Sequence, residues 1–201
     1  MNELRQTLSY AFIELVAAEF SFLESSFGYQ LHQTHPPDKT LSHGDCCRIT
    51  YGNSAVGIAI EIFLDFEIYY ADIILVESPN GIPVKHSVWG QSHLASAVLL
   101  GTLRTWRGSS DPSEKFTTAS FFSLDRRHPK TTLENRRSAI IDDLPSIVQM
   151  LACRLRESAL DVICGDTSMF QAVQEYYRNQ QRVTLSSDGE RVEFEFGKPK
   201  S

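Results

Sequence analysis

The chain has 201 residues, 42% of them hydrophobic and 22% charged, and its 19 Lys and Arg against 25 Asp and Glu leave a net charge of −6. That apolar fraction excludes a disordered tail, because it can bury enough surface to offset chain entropy, and the length fits one domain of roughly 100 to 200 residues. The acidic balance argues against a nucleic-acid partner, since such affinity comes mostly from Lys and Arg set against phosphates.

Residues 3–27 place Leu4, Leu8, Ala11, Phe12, Leu15, Phe22, Leu23 and Phe27 near a 3.6-residue period, and Gly28 follows as a C-cap. This predicts an amphipathic first helix. From Tyr29 to Asp45 no periodicity holds the chain in a regular element, and Pro36, Pro37 and three His predict a surface loop. The character then turns to β. Residues 48–51, a turn at Gly52-Asn53-Ser54, and the runs 55–64 and 68–77 are rich in Ile, Val and Tyr and predict an antiparallel meander. Val56, Ile58, Ile60, Ile62 and Leu64 fall on one strand face, which is expected to pack under the first helix. Pro79, Asn80-Gly81 and Pro83 mark a turn into a fourth short strand near residues 84–88.

After Gly90 the pattern is helical. Residues 92–107 present Leu94, Val98, Leu99, Leu103 and Trp106, and end in Arg104 and Arg107 before Gly108. Thr131-Thr132-Leu133-Glu134 fits a capping box that opens a helix. Pro145 lacks the amide an interior position must donate, so a break near Leu144 and a new helix over 145–164 are expected. Gly165 closes that helix, and Asp166 caps another that runs to about Asn179. The tail reads as a β-hairpin, residues 182–185 and 191–196 around Ser186-Ser187-Asp188-Gly189. The expected fold is a single α+β domain over 1–201, with a helix-plus-meander part (1–90), a helical part (91–181) and the hairpin (182–197).

Glu3, Arg5, Glu14 and Glu19 deny the N-terminal segment the basic flank and apolar core of a secretory signal. The longest apolar runs are broken by Glu61, Asp65 and Asp72, short of the ~18 residues a membrane span needs. A soluble, cytoplasmic protein with no membrane contact is expected. Cys46 and Cys47 are adjacent, and Cys153 and Cys164 lie about three helical turns apart, so neither pair is a natural crosslink. Reduced thiols follow, with Cys153 and Cys164 as small core hydrophobes.

Charge is unevenly placed. Residues 1–90 hold four basic groups (Arg5, Lys39, Arg48, Lys85) against eleven acidic ones, a net of −7, which leaves +1 for the remainder. Residues 104–137 hold eight basic groups against four acidic ones. Such fields steer partners of opposite sign.

Two constellations carry possible chemistry. His32, His35, His43, Cys46 and Cys47 offer imidazole and thiolate donors suited to zinc, but their spacing matches no zinc finger or ribbon, so no metal and no cofactor is assigned. Glu61, Asp65, Glu67 and Asp72 gather on the predicted strand pair. A two-residue loop sets Glu61 opposite Asp72, and a three-residue loop puts Asp72 on the apolar face. A metal nuclease of the restriction-enzyme kind would add a lysine after these carboxylates, and none follows in that pattern. The chain has no G-x-S-x-G elbow, no Walker loop and no G-x-G-x-x-G after a strand. Asp125-Arg126-Arg127-His128 is a polar loop without a glycine cradle, and Trp89, Trp106, Tyr176 and Tyr177 are aromatic groups of the interface type.

The pattern Phe20-Ser21-Phe22-Leu23-Glu24 to Phe27-Gly28-Tyr29, then Arg48-Ile49-Thr50-Tyr51-Gly52-Asn53 and Val56-Gly57-Ile58 to Ile62, resembles small uncharacterised bacterial α+β proteins. Several such families are similar to the immunity proteins of bacterial polymorphic toxin systems. The resemblance covers roughly residues 15–77 and rests on fold-forming positions. It implies a non-enzymatic cytosolic binding protein whose partner is a protein, such as a basic toxin domain. Glu61, Asp65, Glu67, Asp72 and Glu77 are the expected electrostatic contacts of that reading, with Tyr69 and Tyr70 as anchors. The alternative is a metal-dependent hydrolase or regulator using Glu61 and Asp72, or the His32–Cys47 loop. A third reading is a structural subunit with an obligate apolar interface.

Overall fold

The computed structural model describes residues 2–35, 46–66, 69–80, 97–108, 129–180, 184–185 and 192–193. Helices α1 (Asn2–Glu19) and α2 (Ser21–Phe27) lead into strands β1 (Gln30–His35), β2 (Cys46–Asn53), β3 (Ile58–Asp65), β4 (Tyr70–Glu77) and β5 (Ala97–Leu99). Helices α3 (Leu100–Trp106), α4 (Pro129–Ser158), α5 (Leu160–Ile163) and α6 (Met169–Gln180) follow, then β6 (Thr184–Leu185) and β7 (Val192–Glu193). The fold is α+β. Strands β1 to β5 form one antiparallel sheet in chain order.

The predicted first helix is two helices, because Phe20 leaves the helical region (φ −101°, ψ 8°). Gly28 ends α2 in the left-handed conformation (φ 70°), as its position predicts. Leu8, Phe12 and Val16 on α1 share one core with Ile58, Ile60, Ile62 and Leu64 of β3, so the strand's apolar face lies against the first helix as expected. Two polar side chains bind these parts together. Asn53 donates from Nδ2 to the Phe27 carbonyl (2.7 Å) and accepts the Ala55 amide (2.9 Å), while the buried Tyr29 hydroxyl donates to the Ile163 carbonyl (3.0 Å).

Several elements differ from expectation, each for a local reason. Residues 30–35 form an edge strand where a loop is predicted: Gln, His and Thr give no apolar alternation, and backbone pairing to β2 holds the segment instead. The β2–β3 turn falls at residues 54–57 rather than 52–54, because Gly57 supplies the positive φ (72°). Residues 97–99 pair with β4, so the predicted helix begins only at Leu100. Thr131 lies inside α4, which opens at Pro129, a residue suited to the first helical position. The break before Pro145 is present, with Asp143 at φ −138° and ψ 30°. A second break at Ala159 (φ −137°) separates Cys153 from Cys164, and both thiols are exposed rather than core. The buried side of α4 is carried by Val148, Leu151, Ala152 and Leu155, and Cys153 projects away from it.

Asp166 accepts the Ser168 amide (2.9 Å) ahead of α6, as predicted. In the tail, Thr184 pairs with Glu193 and Leu185 with Val192. The strand predicted near 84–88 lies outside the described residues.

Gly165 offers a direct check on this packing. Its φ is 104°, and an added Cβ would sit 3.2 Å from the Val56 Cβ, between the α5 end and the β2–β3 turn. Gly165→Ala is expected to cost about 1–2 kcal/mol of stability in urea melts, from the left-handed conformation alone. A variant as stable as the parent would refute that placement.

Candidate functional site

The candidate site is the second face of the sheet, opposite the α1 core. Pairing of Asp65 with Tyr70 and Phe63 with Asp72 makes the β3–β4 connection four residues, 66–69, longer than either predicted loop. Tyr69 sits there with a positive φ (48°). The consequence is a register in which Asp72 shares the face of Glu61, as the two-residue loop would have it, but lies diagonal to both Glu61 and Asp65 rather than opposite Glu61, with Phe63 between them. The second face also carries Cys46, Arg48 and Thr50 from β2. Its apolar cluster is Ala59, Phe63, Tyr70, Ile74 and Val76, with the Phe63 and Tyr70 rings 5.9 Å apart.

The structure therefore corrects the expected acidic surface. Glu61, Asp65 and Asp72 are only 3%, 4% and 2% exposed, and Tyr70 is also buried. Of the expected contacts, Glu77 is exposed and Tyr69 half-buried, whereas Glu67 lies outside the described residues. The cause is alternation: in this register the three carboxylates point into the sheet's covered second face.

Each described charge there is matched. Glu61 pairs with Arg48 (3.1 Å). Burial pushes the Glu61 carboxyl above its ordinary range, and Arg48 pulls it back part of the way. Asp72 accepts the Tyr70 hydroxyl, the Ile73 amide (2.7 Å) and the Gly101 amide, and it faces Arg154 of α4. Burial outweighs these partners and raises its carboxyl to about 6. Asp72 thereby joins β4 to the first turn of α3 and to α4. Sequence reading missed Arg48, Gly101 and Arg154 as partners; for Arg48 the signal was present, since strand alternation puts it on the Glu61 face.

The candidate His/Cys donor set, to which no metal is assigned, does not assemble among the described residues. His32 is exposed at the β1 bulge beside Tyr51 and Thr50, whereas Cys46 is four to five residues away along β2, on the order of 15 Å at strand rise. Cys46 and Cys47 face opposite sides of the sheet. Burial drives both thiols up to about 12, so both are neutral. The His35 backbone pairs with Arg48, and His43 lies outside the described residues. Among the described residues no group of three His, Cys, Asp or Glu is placed to hold a metal ion.

Exposed acid is found elsewhere. Glu3, Thr7, Tyr10, Glu14 and Ala17 recur at three- and four-residue spacing along one exposed stripe of α1, and Glu24 is exposed on α2. Tyr10 is 60% exposed. Over these two helices the charged residues are four Glu and one Arg. No helix among the described residues is long and apolar enough to cross a membrane. Comparison with protein-family models, curated proteins and solved structures finds no match to this chain.

Proposed function

We propose that the chain is a non-enzymatic, cytoplasmic bacterial binding protein that neutralises a cognate toxin domain by covering its active site, and that its contact surface is the outer face of α1 and α2. The observation that carries this reading is the segregation of the acidic groups. Glu61, Asp65 and Asp72 are withdrawn into the sheet, while Glu3 and Glu14 flank the exposed Tyr10 on one stripe of α1 and Glu24 is exposed on α2. An acidic helix face raises the encounter rate with a basic partner, and a tyrosine within it supplies rigid amphipathic contact area.

The reading is tested with the protein encoded beside this chain's gene. A basic, growth-inhibiting domain there should form a complex that weakens as salt rises from 0.05 to ~0.5 M, as screening of surface charge requires. Tyr10→Ala should weaken binding by tenfold or more, about the loss of one hot-spot side chain. A neighbour that neither inhibits growth nor binds would remove the reading's support.

A further inference from the structure

The break between α1 and α2 is held from a third helix. Phe20, at the N-cap of α2, has no side-chain oxygen to accept an exposed amide. The local bonds, from the Phe20 amide to the Val16 carbonyl (2.9 Å) and from Ser21 Oγ to the Ala18 carbonyl (2.9 Å), finish α1 without reaching past Ser21. The last turn of α1 also holds no basic residue to meet the negative end of the helix dipole, and Glu19 adds an acid there. Arg156, an exposed residue of α4, supplies that cation. Its Nη2 donates to the Glu19 carbonyl (3.3 Å), and its guanidinium carbon lies 4.0 Å from the centre of the Phe22 ring. One planar group thus touches the end of α1 and the first turn of α2 together. Phe22 extends the contact, since its ring stacks with Phe20 at 6.1 Å and meets the Phe27 ring edge-on at 6.2 Å. The far end of α2 is tied to the sheet by the Asn53 bond to the Phe27 carbonyl.

We propose that Arg156 is a positioning residue: by clamping the first turn of α2 to the end of α1, it fixes where Glu24 stands relative to the acidic stripe of α1. Its use rests on the toxin-binding reading, whereas the clamp itself belongs to the free chain. Arg156 is a cation beside an acidic face, so its charge and its clamp act on a basic partner in opposite senses. Loss of the charge alone speeds association. Loss of the clamp speeds dissociation, because α2 must then be ordered in the complex.

The test has one arm on the free chain and one on the complex. In the free chain, Arg156→Gln should speed amide hydrogen exchange at residues 23–27 about two- to fivefold, the ratio an exposed cation–π contact accounts for. Arg156→Lys keeps a cation over the Phe22 ring and should exchange more slowly than Arg156→Gln. In the complex with the protein encoded beside this chain's gene, Arg156→Gln should raise the dissociation rate at least threefold, and should make no such difference when Glu24→Gln is already present. Unchanged exchange in Arg156→Gln, a lysine variant no slower than the glutamine one, or a dissociation effect undiminished by Glu24→Gln would overturn the assignment. If the parent chain binds no neighbour, the toxin reading fails by itself, and the exchange rates still decide the clamp.

Discussion

Arg48→Ala is expected to destabilise the protein by about 3 kcal/mol at neutral pH, because it leaves Glu61 buried without its partner. The Glu61 carboxyl already lies above its ordinary range through burial, and Arg48 is the group that lowers it. A folded-state pKa raised above the unfolded one contributes stability below the unfolded pKa and loses it as pH rises through the folded value. The Arg48→Ala defect should therefore be largest at pH 7.5 and shrink toward pH 4.5, where Glu61 takes up a proton. Replacing both partners by apolar groups, Arg48→Met with Glu61→Leu, should recover most of the loss. Urea melts at the two pH values measure all three chains. A single variant within about 0.5 kcal/mol of the parent would put the pair at the surface and refute its burial.

Asp72→Asn is expected to change the pH dependence of stability more than any other single substitution among the described carboxylates. Asp72 is raised from an ordinary aspartate to about 6 by burial, against the opposing pull of Tyr70, the Ile73 amide, Arg154 and the Gly101 amide. Its contribution is fully present below about pH 4 and is lost as pH rises through about 6. Two pH units correspond to ~3 kcal/mol. Asparagine fixes the side chain in a neutral form that still accepts the amides and donates to the Tyr70 oxygen. The variant should thus gain on the parent between pH 4 and 7, and the two stability curves should run parallel above pH 7. Curves parallel over the whole range would show that Asp72 titrates as it does in the unfolded chain.

The meander was legible in the sequence because Ile58, Ile60, Ile62 and Leu64 alternate strictly and bury one face against α1. Gly28, Asp166 and the break before Pro145 were legible through backbone chemistry that acts within a few residues. Strand β1 was not, since an edge strand of Gln, His and Thr is held by main-chain pairing that leaves no trace in hydropathy. The β3–β4 register escaped for a related reason: the 66–69 connection uses Tyr69 at a positive φ, where sequence signals favour glycine. That single slip decided the site. It set Asp72 diagonal to Glu61 and Asp65 instead of opposite Glu61 or on the apolar face, and the partners of Asp72 include the Gly101 amide and Arg154, which lie far along the chain. Charge counting therefore located the acidic half correctly but could not sort its carboxylates into buried and exposed sets.

The sorting of buried from exposed carboxylates is tested most directly by association kinetics with the protein encoded beside this chain's gene, which the proposed function expects to be a basic toxin domain. Glu3→Lys, Glu14→Lys and Glu24→Lys together should lower the association rate at least tenfold at low salt, while the Arg48→Met, Glu61→Leu chain should associate at the parent rate. An unchanged rate in the triple variant, or lost binding in a folded chain lacking only the internal pair, would contradict it.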